Sequence, residues 1–276
     1  MQIYILFINI IIGLLLIIAC IFIMAVMDKG LITDYLRAVL PFGLFVILLL
    51  CGINTAFFMN RKLLLLLGKE DWPALADYLE QKIYRDGKFS YRNVKLLIQS
   101  YLVLGKFNEI INLKDKVAAV KPGLADRFAL AFGSAYLLNQ DPSVAAAYFQ
   151  SEMDKGRPAA NEWLRWFYGF SLVLSETSEL AGDVFMKLAA EADDIIVTGL
   201  SAFLLAGQLG NRSAARAEWY TGAEEGKKKV LKSIKSVHEW TAKAQKTYSE
   251  VHGAIIKKYI DEAGAWIFEG AGNEKH

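Results

Sequence analysis

Cysteine is almost absent: of 276 residues only Cys20 and Cys51 carry a thiol, and none follows residue 51. The remainder therefore has neither a disulfide framework nor a thiolate metal site. Histidine is nearly as scarce, with His238, His252 and the terminal His276 forming no H-E-x-x-H pair, which argues against a catalytic metal centre. Charge is missing from the first 60 residues except at Asp28, Lys29, Asp34 and Arg37. Nucleotide and hydrolase signatures are missing as well. Gly68-Lys69 and Gly105-Lys106 lack the following Ser or Thr and the glycine five residues earlier that a phosphate loop needs, and no G-x-S-x-G or G-x-G-x-x-G occurs. The expectation is a protein without cofactor or metal that is not an enzyme. The net charge of +2 gives no global attraction to nucleic acid, and none is expected as a partner.

The uncharged beginning is rich in apolar residues. Ile3 to Met27 carries no charge and almost nothing polar, and a second uncharged run extends from Ala38 to Asn60. At 1.5 Å per residue each is long enough for the ~30 Å hydrocarbon core. The spacing predicts two transmembrane helices, about 3–27 and 38–60, joined by a tight loop over Asp28–Arg37, with Pro41 in the first turn of the second. A cleaved signal peptide fits less well, because the first run lacks a basic leader and overshoots the usual length. Arg61, Lys62 and Lys69 after the second run outnumber Lys29 and Arg37 in the loop, so both termini are expected in the cytoplasm. Asn9 and Asn54 are among the few polar residues of the runs, suited to interhelical hydrogen bonds in a plain anchor.

From Leu63 onward apolar residues recur at helical spacing between short turns. Pro73, Pro122, Pro142 and Pro158 fall at helix boundaries or first turns. There is also a longer period. Tyr91, Leu97, Tyr101, Gly105, Phe107, Ile110, Val117 and Pro122 form one unit. A second, from near Asp126, has Gly133, Tyr136, Ala145, Phe149 and Pro158. A third, from near Ala160, has Trp163, Trp166, Phe170, Ala181 and Phe185. A fourth, from near Ile196, has Ala202, Phe203, Gly210, Ala215 and Trp219. Gly105 and Gly210 are three periods of 35 apart. Gly68-Lys69 before Trp72, Leu75 and Tyr78 reads as the second half of a degenerate earlier unit. This pattern resembles the tetratricopeptide repeat (TPR) family over about residues 63–224. The resemblance implies an all-α fold in which helix pairs stack into one α-solenoid.

Glu224 to Gly270 reads as one long or once-broken helix. Val230, Ile234, Val237, Thr241, Ala244, Tyr248, Val251 and Ile255 follow a 4-3-4-3 spacing suited to capping the array or meeting a partner helix in an oligomer. The expected organisation is thus a two-helix membrane anchor (1–62), a TPR-like array (63–224), and a long basic C-terminal helix with a frayed tail (225–276).

Two surfaces are candidates for binding. The resemblance implies a concave groove lined by the first helix of each unit, which places Arg92, Lys95, Gln99, Arg127 and Ser134 toward it. Such basic and polar side chains suit an acidic peptide or terminal carboxylate. Lys227–Lys246 carries seven lysines against Glu239, of which Lys228, Lys232 and Lys235 share one helical face fit for an anionic surface. Asn211-Arg-Ser213 is a formal glycosylation triplet. The expected role is a scaffold or adaptor of the bacterial inner membrane that recruits protein partners. The layout is similar to that of membrane repeat proteins organising envelope assembly, motility or heme-pathway enzymes. An extracytoplasmic assembly or chaperone factor is the alternative.

Overall fold

The computed structural model describes Gly13 and residues 29–156, 161–209, 216–248 and 251–269. The first expected membrane span, Pro158, the Asn211 triplet, Gly210, Ala215 and the C-terminal tail lie outside the described residues. Among those described every regular element is helical and there is no strand. The protein is all-α. Its chain divides into two compact units, Met1–Asp71 and Trp72–His276.

The first unit is dominated by α1, Lys29–Gly68, one helix of 40 residues and so about 60 Å long. This corrects the expected loop: Lys29–Arg37 is helical, because nothing between Lys29 and Gly68 is a strong breaker except Pro41. Pro41 lies inside the helix and not in a first turn. Leu44, Phe45, Ile47, Leu48, Leu49, Ile53, Phe58 and Met59 are all exposed. Ile47–Gly68 is long and apolar enough to cross a membrane. Asn54 and Thr55 bond back to the carbonyls of Leu50 and Cys51, so their polar groups are met within the helix itself.

The second unit begins with α2 (Trp72–Glu80), continued by a π-helical turn, Gln81–Arg85, and then α3 (Tyr91–Val103), α4 (Phe107–Val120) and the short α5 (Pro122–Asp126). Next come α6 (Ala129–Leu138), α7 (Pro142–Asp154), α8 (Asn161–Leu174), α9 (Ser178–Glu191) and α10 (Ile195–Leu204). A second π-helical turn spans Leu205–Leu209. The unit ends with α11 (Arg216–Ser233), α12 (Val237–Tyr248) and α13 (Val251–Phe268). Neighbours in sequence are neighbours in space: α2 packs on α3, α4 on α6, α6 on α7, α7 on α8, α8 on α9, α9 on α10 and α10 on α11. Alternate helices also touch, α6 with α8, α8 with α10, and α9 with α11.

The turns between paired helices repeat one geometry. After α3, Gly105 has φ 66°, and Lys106 N–H bonds Tyr101 O while Gly105 N–H bonds Leu102 O. This double closure of a helix end by a left-handed residue satisfies two carbonyls that would otherwise be unpaired. The same pair of bonds closes α6 at Gln140 (φ 60°) and α8 at Glu176 (φ 62°). It also closes α1 at Glu70 (φ 54°). Residues 70, 105, 140 and 176 are 35, 35 and 36 apart. The turn in the first of these units therefore falls at Glu70, two residues beyond the expected Gly68.

Close approach fills the interior. A Cβ on Gly133 would lie 2.2 Å from the ring of Phe149, and one on Gly182 would lie 2.2 Å from Trp219. Leu97, Ile110, Val117, Ala145, Phe149, Trp166, Ala181, Phe185 and Ala202 are fully buried, so these signature positions are core, whereas Tyr91, Gly105 and Pro122 are exposed and Phe107, Tyr136, Trp163 and Phe203 half-buried. Glu162 at the start of α8 accepts the N–H groups of Asp193 and Asp194. Asp194 in turn caps α10 and accepts Trp163 Nε1–H. That lattice ties the entry of α8 to the entry of α10.

The C-terminal segment differs from one long helix. It breaks at 234–236, where Ile234 is buried as a plug, and α12 and α13 pack on each other. The apolar stripe splits accordingly. Val230, Ile234 and Ala244 are buried, whereas Val237 and Thr241 are exposed. Trp240 takes the buried place on α12, donating Nε1–H to Ile260 O. Residue 224, expected as a boundary, lies inside α11.

Candidate partner-binding surfaces

The five residues expected in one groove do not share one environment. Arg92 is exposed and Lys95 and Gln99 are half-buried, all on α3. Their spacing of three and four residues sets them on one helical face. Arg127 precedes α6, with its guanidinium 4.1 Å from the centre of the Tyr91 ring, and that ring stacks on Phe128 at 4.9 Å. Ser134 departs from expectation. It is fully buried and its Oγ has no hydrogen-bond partner among the described residues, because α6 is apolar on every side and packed by α4, α7 and α8.

The face made by the first helices α6, α8 and α10 is covered by the chain itself. α13 contacts α6, α10 and α11. Its Tyr259 meets Phe170 of α8 edge-on at 5.0 Å, and its Trp266 meets Phe203 of α10 at 6.1 Å. Sequence reading placed this segment at the end of the array. The signal that could have moved it is the aromatic pair Tyr259 and Trp266, seven residues apart on one helical face.

The basic helix is also divided by role. Lys228 and Lys232 are exposed on α11. Lys235 lies past the helix end, folding its Nζ onto the carbonyls of Leu231 and Lys232 while its N–H bonds Glu239. Lys227 donates to Trp266 O and sits 4.6 Å from the centre of the Trp266 ring. Lys229 donates to the carbonyls of Ala190 and Ala192, which closes the C-terminus of α9. Two of the lysines are thus internal fasteners.

Other polar groups pair within the helical packing. Tyr101 donates to Glu80 beside Tyr84, over whose ring Lys116 lies at 3.9 Å. Burial first, and then Tyr84 and Glu80, push the Tyr101 phenol far above its ordinary range. Burial likewise raises Tyr148, with Glu152 adding to it. Lys114 lies over the rings of Tyr136 and Tyr148 and donates to the Tyr136 hydroxyl at 2.7 Å. Burial works to lower its pKa, but the Tyr136 hydroxyl and Asp115 outweigh it and the net direction is upward. An open cleft between α7, α8 and α9 mixes Asp154, Glu162 and Glu191 with Arg165 and Lys187. No group of three His, Cys, Asp or Glu able to hold a metal occurs among the described residues.

A family model described as "Uncharacterised Treponema protein" matches residues 109–269, from within α4 to the end of α13. A protein of Treponema pallidum (strain Nichols), described as an uncharacterized protein, is 28% identical over 244 residues, spanning 84% of this chain and 76% of its own length. No solved structure matches.

Proposed function

The chain belongs to this family of uncharacterised Treponema proteins, and on that premise we propose that it is a membrane-anchored TPR-type scaffold that recruits protein partners at the inner membrane. The observation that carries the reading is the recurrence of one helix-closing turn at 70, 105, 140 and 176. A 35-residue recurrence supports stacked helix pairs that extend one continuous core and present broad surfaces. The exposed apolar length of α1 supports membrane insertion, and the uncharged run 3–27 supports a second span. The soluble unit lies in the cytoplasm on the balance of lysine and arginine around the spans. The role is binding and not catalysis.

The α3 face with Arg92, Lys95 and Gln99 is the site for an acidic partner segment. Crosslinking in native membranes, followed by identification of co-purified proteins, tests it. Arg92→Glu with Lys95→Glu should abolish recovery of the partner while the chain remains helical, and binding by the native chain should weaken with salt. Full recovery by the double variant removes the site. A reporter fused after His276 that is active only outside the cytoplasm removes the cytoplasmic scaffold in favour of an extracytoplasmic assembly factor.

A further inference from the structure

We propose that the cleft between α7 and α9 is a binding site for a small zwitterion, a dipeptide with its ammonium and carboxylate ends free. The cleft has an origin in packing. Further along the chain α9 and α11 close tightly on each other: a Cβ on Gly182 would lie 2.2 Å from the Trp219 ring, and one on Gly222 would lie 2.3 Å from Met186 Sδ. Between α7 and α9 the facing positions hold Gln150, Met153, Asp154, Val184, Lys187 and Glu191, which are too bulky or too charged for that approach. The two helices stand apart over α8 and leave a cleft of about 680 Å³, the size of an ordinary small-molecule site.

Its lining is ordered by height. α8 runs opposite to α7 and α9, so the end of α7, the start of α8 and the end of α9 share one level. Glu162 fixes that register by accepting the N–H groups of Asp193 and Asp194. At this level the cleft presents Asp154, Glu162 and Glu191. One helical turn higher, roughly 5 Å along the axes, it presents Arg165 and Lys187, and above them Tyr168 and Val184. Leu188 and Ala192 are buried in its wall and give it an apolar back. One pole is therefore acidic and the other basic. Glu162 is engaged by its two backbone donors, while Asp154 accepts only the neutral Gln150 Nε2–H, at 3.0 Å. Among the described residues Arg165, Lys187 and Glu191 make no ion pair, although opposite charges line the same cleft. All three, with Asp154, are exposed to an entering ligand.

Two unlike poles one turn apart suit a ligand that carries both charges at a fixed separation, each meeting its opposite in a charge-assisted hydrogen bond. An extended dipeptide is about 7 Å from end to end, enough to set its ammonium between Asp154 and Glu191 and its carboxylate between Arg165 and Lys187. The second side chain then lies toward Val184 and Tyr168. In a single amino acid both charges flank one Cα and fall short of the span. The site is separate from the acidic-segment site on α3.

The full chain in detergent micelles is titrated with alanyl-leucine by calorimetry. The comparison ligands are N-acetyl-alanyl-leucine, alanyl-leucine amide and free leucine, each of which should bind at least about tenfold more weakly because one pole is left unanswered. Lys187→Glu with Glu191→Lys keeps the net charge but reverses the poles. It should weaken alanyl-leucine binding by about tenfold while helicity is unchanged. Arg92→Glu with Lys95→Glu should bind the dipeptide as the native chain does, so the failure of one site is read apart from the failure of the other. Absence of binding at millimolar alanyl-leucine overturns the proposal, as does equal affinity for the acetylated, amide or single-residue ligands. Full affinity in the pole-reversed variant overturns it too, since the dipeptide would then sit elsewhere.

Discussion

At Gln140 and Glu176 the backbone takes a left-handed turn that glycine adopts freely and other residues resist. Gly105 fills the equivalent place after α3. Replacing Gln140 with Gly should therefore stabilise the fold by about 0.5–1 kcal/mol, the difference between relieved strain and added unfolded-chain entropy. Thermal melting checks it, and an unchanged or lowered midpoint would mean that the side chain makes a compensating contact. The buried phenols give a second expectation. Tyr84, Tyr101 and Tyr148 have folded pKa values above the ordinary 10.0. Above about pH 10 the unfolded chain releases those protons while the folded chain keeps them, so the unfolded state gains and stability falls. Their contribution is complete below pH 10. Melting temperature should be flat up to there and then decline, and Tyr148→Phe should make the decline shallower.

Among the elements, α11 shows what a lysine count conceals. Lys229 reaches the last carbonyls of α9, whereas Lys228 next to it is exposed. Lys229→Met should lower stability by about 1 kcal/mol by uncapping that helix. Lys228→Met should stay within about 0.5 kcal/mol yet weaken binding to anionic vesicles if the exposed pair with Lys232 meets a lipid surface. Loss of stability in both or neither would refute the division. The helices themselves were legible from the sequence. Leu97, Ala145, Phe149 and Phe185 lie in the core because helical spacing and small–large alternation leave few other arrangements. Turn positions were harder to read wherever a non-glycine residue carries the positive φ, as at Glu70, and a glycine nearby drew the assignment instead. The path of α13 was not legible, since apolar spacing states that a face is buried and says nothing of which neighbour buries it. Ser134 was misplaced for a related reason: a hydroxyl on an apolar helix looks like a surface group until its surroundings are known.

At the scale of the whole molecule, apolar character is distributed differently in the two units. Between Leu44 and Met59 of α1 large apolar side chains are exposed, and from Trp72 apolar character is mostly turned inward. A chain starting at Trp72 should be soluble without detergent and strongly helical by circular dichroism, while the full chain should partition into the membrane fraction. Recovery of the shortened chain only as detergent-dependent aggregate would mean that its core needs α1.

The π-helical turn at Gln81–Arg85 sets a direction as well as a length. A hydrogen bond spanning five residues instead of four takes in one more residue, and one residue of helix is about 100° of rotation. Tyr84 consequently points about a quarter-circle away from where an uninterrupted α-helix would aim it, and it is in this orientation that it meets Tyr101. The interval from Glu70 to Gly105 is nevertheless still 35 residues. The wider turn thus re-aims the end of this helix toward Tyr101 without lengthening the repeat that contains it.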